Sequence, residues 1–144
     1  MKLYTLIVLG ALAGAALADA PKSPPTPPPP QEDPIGERLF PAELIMSHQR
    51  DIGLDDKTRA AMVDDIQRFQ TQAVKLQWDL KSEGDSLAKL LDDAHPDEAK
   101  VLGQADKVMG LERDMKRAHL GLLVRLKGKL TPAQQAILQK ARHR

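Results

Sequence analysis

The stretch MVDDIQRFQTQAVKLQWDL, residues 62–80, decides the fold. At ~100° per residue, Ile66, Phe69, Ala73, Leu76 and Leu80 all fall within about 40° of Met62, the pattern of one apolar helix face. Leu87, Leu91 and Ala94 continue that face. The spacing therefore predicts a single amphipathic helix from Asp55 or Asp56 to Ala94, with Gly84 inside it because the register resumes at Leu87. A seam of this length needs a partner of similar length. His95-Pro96 supplies a turn, since proline disfavours helical geometry in the residue before it and starts a new helix readily. Beyond it, Val101, Val108, Met115, Leu122 and Leu126 form a matching stripe on a predicted helix from Asp97 to Lys127.

Two shorter helices flank this pair. The first is expected from Pro41 to Ile52, closed by Gly53, with Leu44, Ile45, His48 and Ile52 on its apolar face. The last is expected from Pro132 to Ala141, with Ile137, Leu138 and Ala141 turned back to the hairpin. Its start, Leu130-Thr131-Pro132-Ala133-Gln134-Gln135, reads as a capping box. Thr131 accepts from the third helical amide, Pro132 occupies the first helical position, and Gln134 reaches back to the cap. The fold class expected is all-α: a long antiparallel helical hairpin with short N- and C-terminal helices hooked onto it.

Composition agrees with that class and removes others. Aromatic residues make up only 3% of the 144, so a core must be built from Leu, Ile, Val, Met and Ala, as in slender bundles. Cysteine is absent, which excludes disulfides, thiolate metal sites and a cysteine nucleophile. A net charge of +1 lacks the basic excess of a nucleic-acid binder. Neither a nucleophile motif nor a glycine-rich phosphate loop is present, so no enzymatic activity is expected.

The N-terminal region reads as targeting sequence and spacer. Lys2 precedes the apolar run Leu3 to Ala18, and Ala16-Leu17-Ala18 offers a cleavage site, so residues 1–18 are expected to be a secretory signal. Residues 19–38 are expected to be a linker, and within it Ala20 to Pro34 is dominated by proline, including Pro27 to Pro30, an extended spacer of roughly 40 Å at ~3.1 Å per residue. The helical domain is expected over 39–144, with no membrane span after signal cleavage.

The order of these parts resembles the periplasmic Spy/CpxP group and its metal-handling relatives ZraP and CnrX. Leu130-Thr131-Pro132-Ala133-Gln134 matches the group's Leu-Thr-x-x-Gln signature, with Leu130, Thr131, Pro132 and Gln134 as motif residues. A second copy is expected before the long helix, where Leu54-Asp55-Asp56-Lys57-Thr58 keeps a capping residue and places Thr58 where the signature has glutamine. The resemblance covers Phe40 to Arg142 by layout. It implies periplasmic residence, a homodimer, and either ATP-independent holding of unfolded envelope proteins or an adaptor role toward a membrane stress sensor. The alternative it implies is binding of Zn, Ni, Co or Cu in sensing or resistance. A purely structural envelope protein is the third class.

Each role points to different residues. For metal, His48 lies on the first helix, while Glu112, Met115 and His119 recur on one side of the third at near one- and two-turn spacings. Glu43, Asp64 or Asp65 could complete the set. The sequence departs from the relatives in lacking a paired histidine on the first helix, and its methionine precedes the histidine, the reverse of CnrX. A histidine on an apolar face is more often a hydrogen-bonded core residue than a ligand. For client binding, Val74 and Trp78 sit opposite the seam of the second helix, where Trp78 either meets a partner or is covered by the first or last helix. Lys100, Lys107, Lys116, Arg117, Arg125 and Lys127 give the third helix a basic back. Gly103, Gly110, Gly121 and Gly128 also align on its polar side, as a softened helix back or as a close-approach face for another chain.

Overall fold

The structure, a computed structural model, describes residues 33–143. The expected signal segment and most of the expected linker lie outside the described residues. A 3-10 turn at Gly36–Arg38 is followed by α1 (Ala42–Ser47), α2 (Asp56–Leu91), α3 (Glu98–Gly128) and α4 (Pro132–Arg142), with no strand among the described residues. None of these helices is long and apolar enough to cross a membrane.

Side-chain caps begin the three longer helices. The Asp55 carboxylate accepts from the Thr58 amide at 2.8 Å and from the Thr58 hydroxyl at 2.7 Å. These bonds favour the ionised form and hold its pKa below the ordinary carboxylate value. Asp97 accepts from the Lys100 amide at 3.1 Å. At α4 the capping box is complete: the Gln134 amide donates to Thr131 Oγ1 at 3.2 Å, and the Thr131 amide donates to Gln134 Oε1 at 2.9 Å.

Three sequence expectations need correction. The first helix stops at Ser47 rather than Ile52, where the Ser47 hydroxyl takes the Leu44 carbonyl and the Gln49 amide bonds Met46 three residues back. The chain then turns again and closes on Gly53. Leu54 N–H reaches the Gln49 carbonyl at 2.9 Å and Gly53 N–H the Arg50 carbonyl at 3.1 Å, a Schellman closure that needs the left-handed φ of 61° found at Gly53. The second helix ends at Leu91, not Ala94, because Asp93 Oδ1 accepts the His95 amide at 3.0 Å and turns the chain. Ile137 faces solvent, leaving Leu138 to anchor α4.

The two long helices pack against each other, and position falls along α3 as it rises along α2. Asp65 meets Arg125 at 3.3 Å, the Phe69 and His119 rings lie 5.6 Å apart, and Gln104 meets Glu83. Packing along the pair is uneven. Phe40, Ile45, Ile52, Met62, Leu122, Leu126, Leu130 and Leu138 form one buried cluster where α1, α4 and the N-terminal strap join the pair. Toward the α2–α3 turn, Ala73, Leu76, Leu80 and Leu87 are only half-buried, and Leu91 and Ala94 are exposed. The exception there is Gln104, buried with its Nε2 donating to the Glu83 carbonyl at 2.9 Å and to its carboxylate at 2.5 Å.

Residues 36–40 are strapped down by cations. Lys127 Nζ donates to the Arg38 carbonyl at 2.6 Å, and the Arg142 guanidinium donates to the Gly36 and Leu39 carbonyls. Both cations also lie near the buried Phe40 ring, at 5.9 and 5.5 Å from its centroid.

Candidate functional site

Trp78 is 69% exposed and Val74, one turn earlier, 52%. Neither short helix covers Trp78. Both residues lie on the side of α2 turned away from Met62, with Val63, 38% exposed, on the same side. Lys75 pairs with Asp79 at 2.7 Å and Lys81 with Asp85 at 2.8 Å, so exposed i,i+4 ion pairs rim the patch. A broad aromatic surface beside flexible charged side chains can accept apolar segments of many sequences without fixed geometry.

A second apolar surface belongs to α3. Leu102, Met109, Leu120 and Val124 are between 45% and 55% exposed. An open groove of about 830 Å³ runs between α2 and α3, with Leu76, Leu120 and Val124 in its lining and the arginines Arg117 and Arg125 among them. Lining residues of this kind hold apolar side chains, with guanidinium groups for carboxylates.

The residues expected to bind metal are placed apart in function. His48 is half-buried, and its Nδ1 lies 2.9 Å from Asp51 Oδ2. His119 stacks at a tilt on Phe69, Met115 is half-buried, and Glu112 is exposed. No group of three or more His, Cys, Asp or Glu side chains able to hold a metal is gathered among the described residues. Glu43 and Asp64 are exposed. Asp65 is already committed: Lys129 at 2.5 Å, Arg125 at 3.3 Å and Arg68 at 3.4 Å surround its buried carboxylate. The Lys129 hydrogen bond is the main reason its pKa falls, burial opposes the fall, and the three positive charges add to it.

Comparison of the chain with family models, curated proteins and solved structures finds no match.

The signature residues play architectural parts. Leu130 is buried in the core, Thr131 and Gln134 build the capping box, and Gln134 Nε2 also donates to the Ile52 carbonyl at 3.1 Å. That last bond ties the start of α4 to the loop after α1. Of the six residues expected as the basic back of α3, Arg125 serves Asp65 and Lys127 serves the strap, so two have structural duties. Sequence reasoning missed the Asp65 hub, because its cations are three, sixty and sixty-four residues away. It missed the Gln104–Glu83 contact too, although a glutamine in line with Leu111, Met115 and Leu122 on the apolar face was a visible signal.

Proposed function

We propose that this chain is a non-enzymatic holding protein that binds unfolded polypeptide segments without ATP, as members of the Spy/CpxP group it resembles do. The exported compartment, the periplasm in that group, is part of the same proposal. The observation that carries it is the bare Trp78–Val74 patch on α2. An aromatic side chain left in water on a helix with a well-formed core elsewhere has no stabilising role in the monomer, and tryptophan is the residue most enriched at binding hot spots. The charged rim keeps the patch soluble and makes its grip weak enough for release. An adaptor role toward a stress sensor would use the same surface with one folded partner.

The purified protein is expected to suppress light scattering by an aggregating unfolded client, without nucleotide, at near-stoichiometric ratios. Trp78→Ser combined with Val74→Ser is expected to remove most of that protection while leaving the helical circular dichroism intact. Undiminished aggregation with the unaltered protein in excess would reject the proposal.

One observation favours a metal-binding role as a second reading. With the proton on Nδ1, His48 donates to Asp51 and keeps its Nε2 lone pair for a cation, the arrangement in which a carboxylate orients an imidazole ligand. Zinc titration by calorimetry is expected to show binding that His48→Ala weakens. Identical titrations for the two proteins would remove this reading.

A further inference from the structure

The face of α3 turned away from its buried side changes character along the helix. At ~100° per residue, Met109, Arg113, Lys116, Arg117, Leu120 and Val124 share a sector about 100° wide, opposite buried Leu122, and all six are exposed. No carboxylate lies in that sector between Met109 and Val124. The nearest, Glu112 and Asp114, stand about 40° and 60° outside it. Toward the start of the helix the same sector holds the acids Glu98 and Asp106. Ion pairs on α3 engage Lys100, Arg113 and Arg125, and among the described residues leave Lys116 and Arg117 without a carboxylate partner. Three cations and three apolar side chains are thus interleaved over about 22 Å of one helix.

We infer that this stretch of α3 docks flat on an anionic lipid surface. A phosphodiester chain would match the cations but leave Met109, Leu120 and Val124 in water. A layer of anionic headgroups meets both kinds of side chain. Its phosphates take the guanidinium and ammonium groups, whose long stems let them rise to that level, and the acyl boundary beneath takes the apolar groups. No membrane-spanning length is needed, because the helix lies along the surface rather than across it. Glu98 and Asp106, with Asp92, Asp93 and Asp97 at the α2–α3 turn, are repelled by the same surface, which sets the orientation: Met109 to Val124 down, the turn lifted. Three cations give an attraction that falls with salt, so docking is reversible. The inference uses α3 and stands or falls independently of client binding on α2.

The test is cosedimentation with vesicles of equal parts phosphatidylglycerol and phosphatidylcholine, against vesicles of phosphatidylcholine alone. The chain is used from Asp19, so that the apolar run Leu3 to Ala18 cannot itself enter the bilayer; every residue of the buried core lies beyond that point. Binding to the anionic vesicles is expected to be at least about tenfold tighter than to the neutral ones. Arg113→Gln, Lys116→Gln and Arg117→Gln in one chain are expected to weaken it at least about tenfold, and Leu120→Ser with Val124→Ser by a similar factor. Trp78→Ser with Val74→Ser is expected to leave it unchanged. Circular dichroism checks that each variant keeps its helices. The absence of native cysteine permits a positional readout. An environment-sensitive dye carried by Leu120→Cys is expected to shift its emission to shorter wavelength on anionic vesicles, and the same dye carried by Thr71→Cys, on the outer side of α2, to stay unchanged. No binding to anionic vesicles, binding that the triple charge variant leaves intact, or equal shifts at the two positions would overturn the inference. So would a dye at Leu120 already shielded in the protein alone, which would give this face to another polypeptide.

Discussion

Asp65 gathers more cations than any other carboxylate among the described residues. Its carboxylate is buried at the start of α2, yet it gathers Lys129 from the end of α3, Arg125 one turn earlier, and Arg68 from its own helix. Because the folded-state pKa is lowered, the ionised form stabilises the fold at all pH values above the unfolded value of about 4. That contribution is lost as pH falls through the folded-state pKa. Asp65→Asn is expected to cost about 2 kcal/mol near neutral pH, the scale of a hydrogen bond to a charged group. Urea denaturation should show that gap at pH 7 and a smaller one at pH 2. An equal gap at both would mean that charge is not what Asp65 contributes.

Glycines separate two kinds of constraint at the scale of elements. Gly53 holds a left-handed φ that closes the α1 loop, whereas Gly84 sits inside α2 with nothing near its missing Cβ. Gly53→Ala is expected to destabilise by about 1 kcal/mol and Gly84→Ala to stabilise by up to about 1 kcal/mol. Thermal unfolding of the two variants checks the signs. Much at this scale was legible in the sequence, because caps and stripes are local. Asp55, Thr131, Pro132 and Gly53 mark boundaries through bonds within a few residues, and the seam from Met62 to Leu87 follows from helical geometry. The ends that were misjudged, at Ser47 and Leu91, are set by side chains competing for backbone groups, which periodicity does not report. Contacts between distant residues, such as Lys127 with the Arg38 carbonyl or Gln104 with Glu83, exist only once the helices are packed.

Over the whole molecule, packing and exposure are divided between regions. One end of the α2–α3 pair is closed by α1, α4 and the strap around a buried core. The remainder of the pair is a half-buried seam whose outer sides bear apolar groups. Such a body keeps its fold at one end while leaving long helical surface for partners elsewhere. Of these outer sides, that of α2 is the one proposed to hold non-native segments. The candidate site was partly legible, since Trp78 and Val74 stand off the seam in sequence. Whether a short helix covered them depended on where α1 and α4 dock. The most direct test uses the fact that Trp78 is the only tryptophan in the chain. Its emission should be that of a solvent-exposed indole, and should shift to shorter wavelength, saturably, on titration with a tryptophan-free unfolded polypeptide but not with the same polypeptide folded. Emission unchanged across a titration that suppresses aggregation would contradict the assignment of client binding to this face.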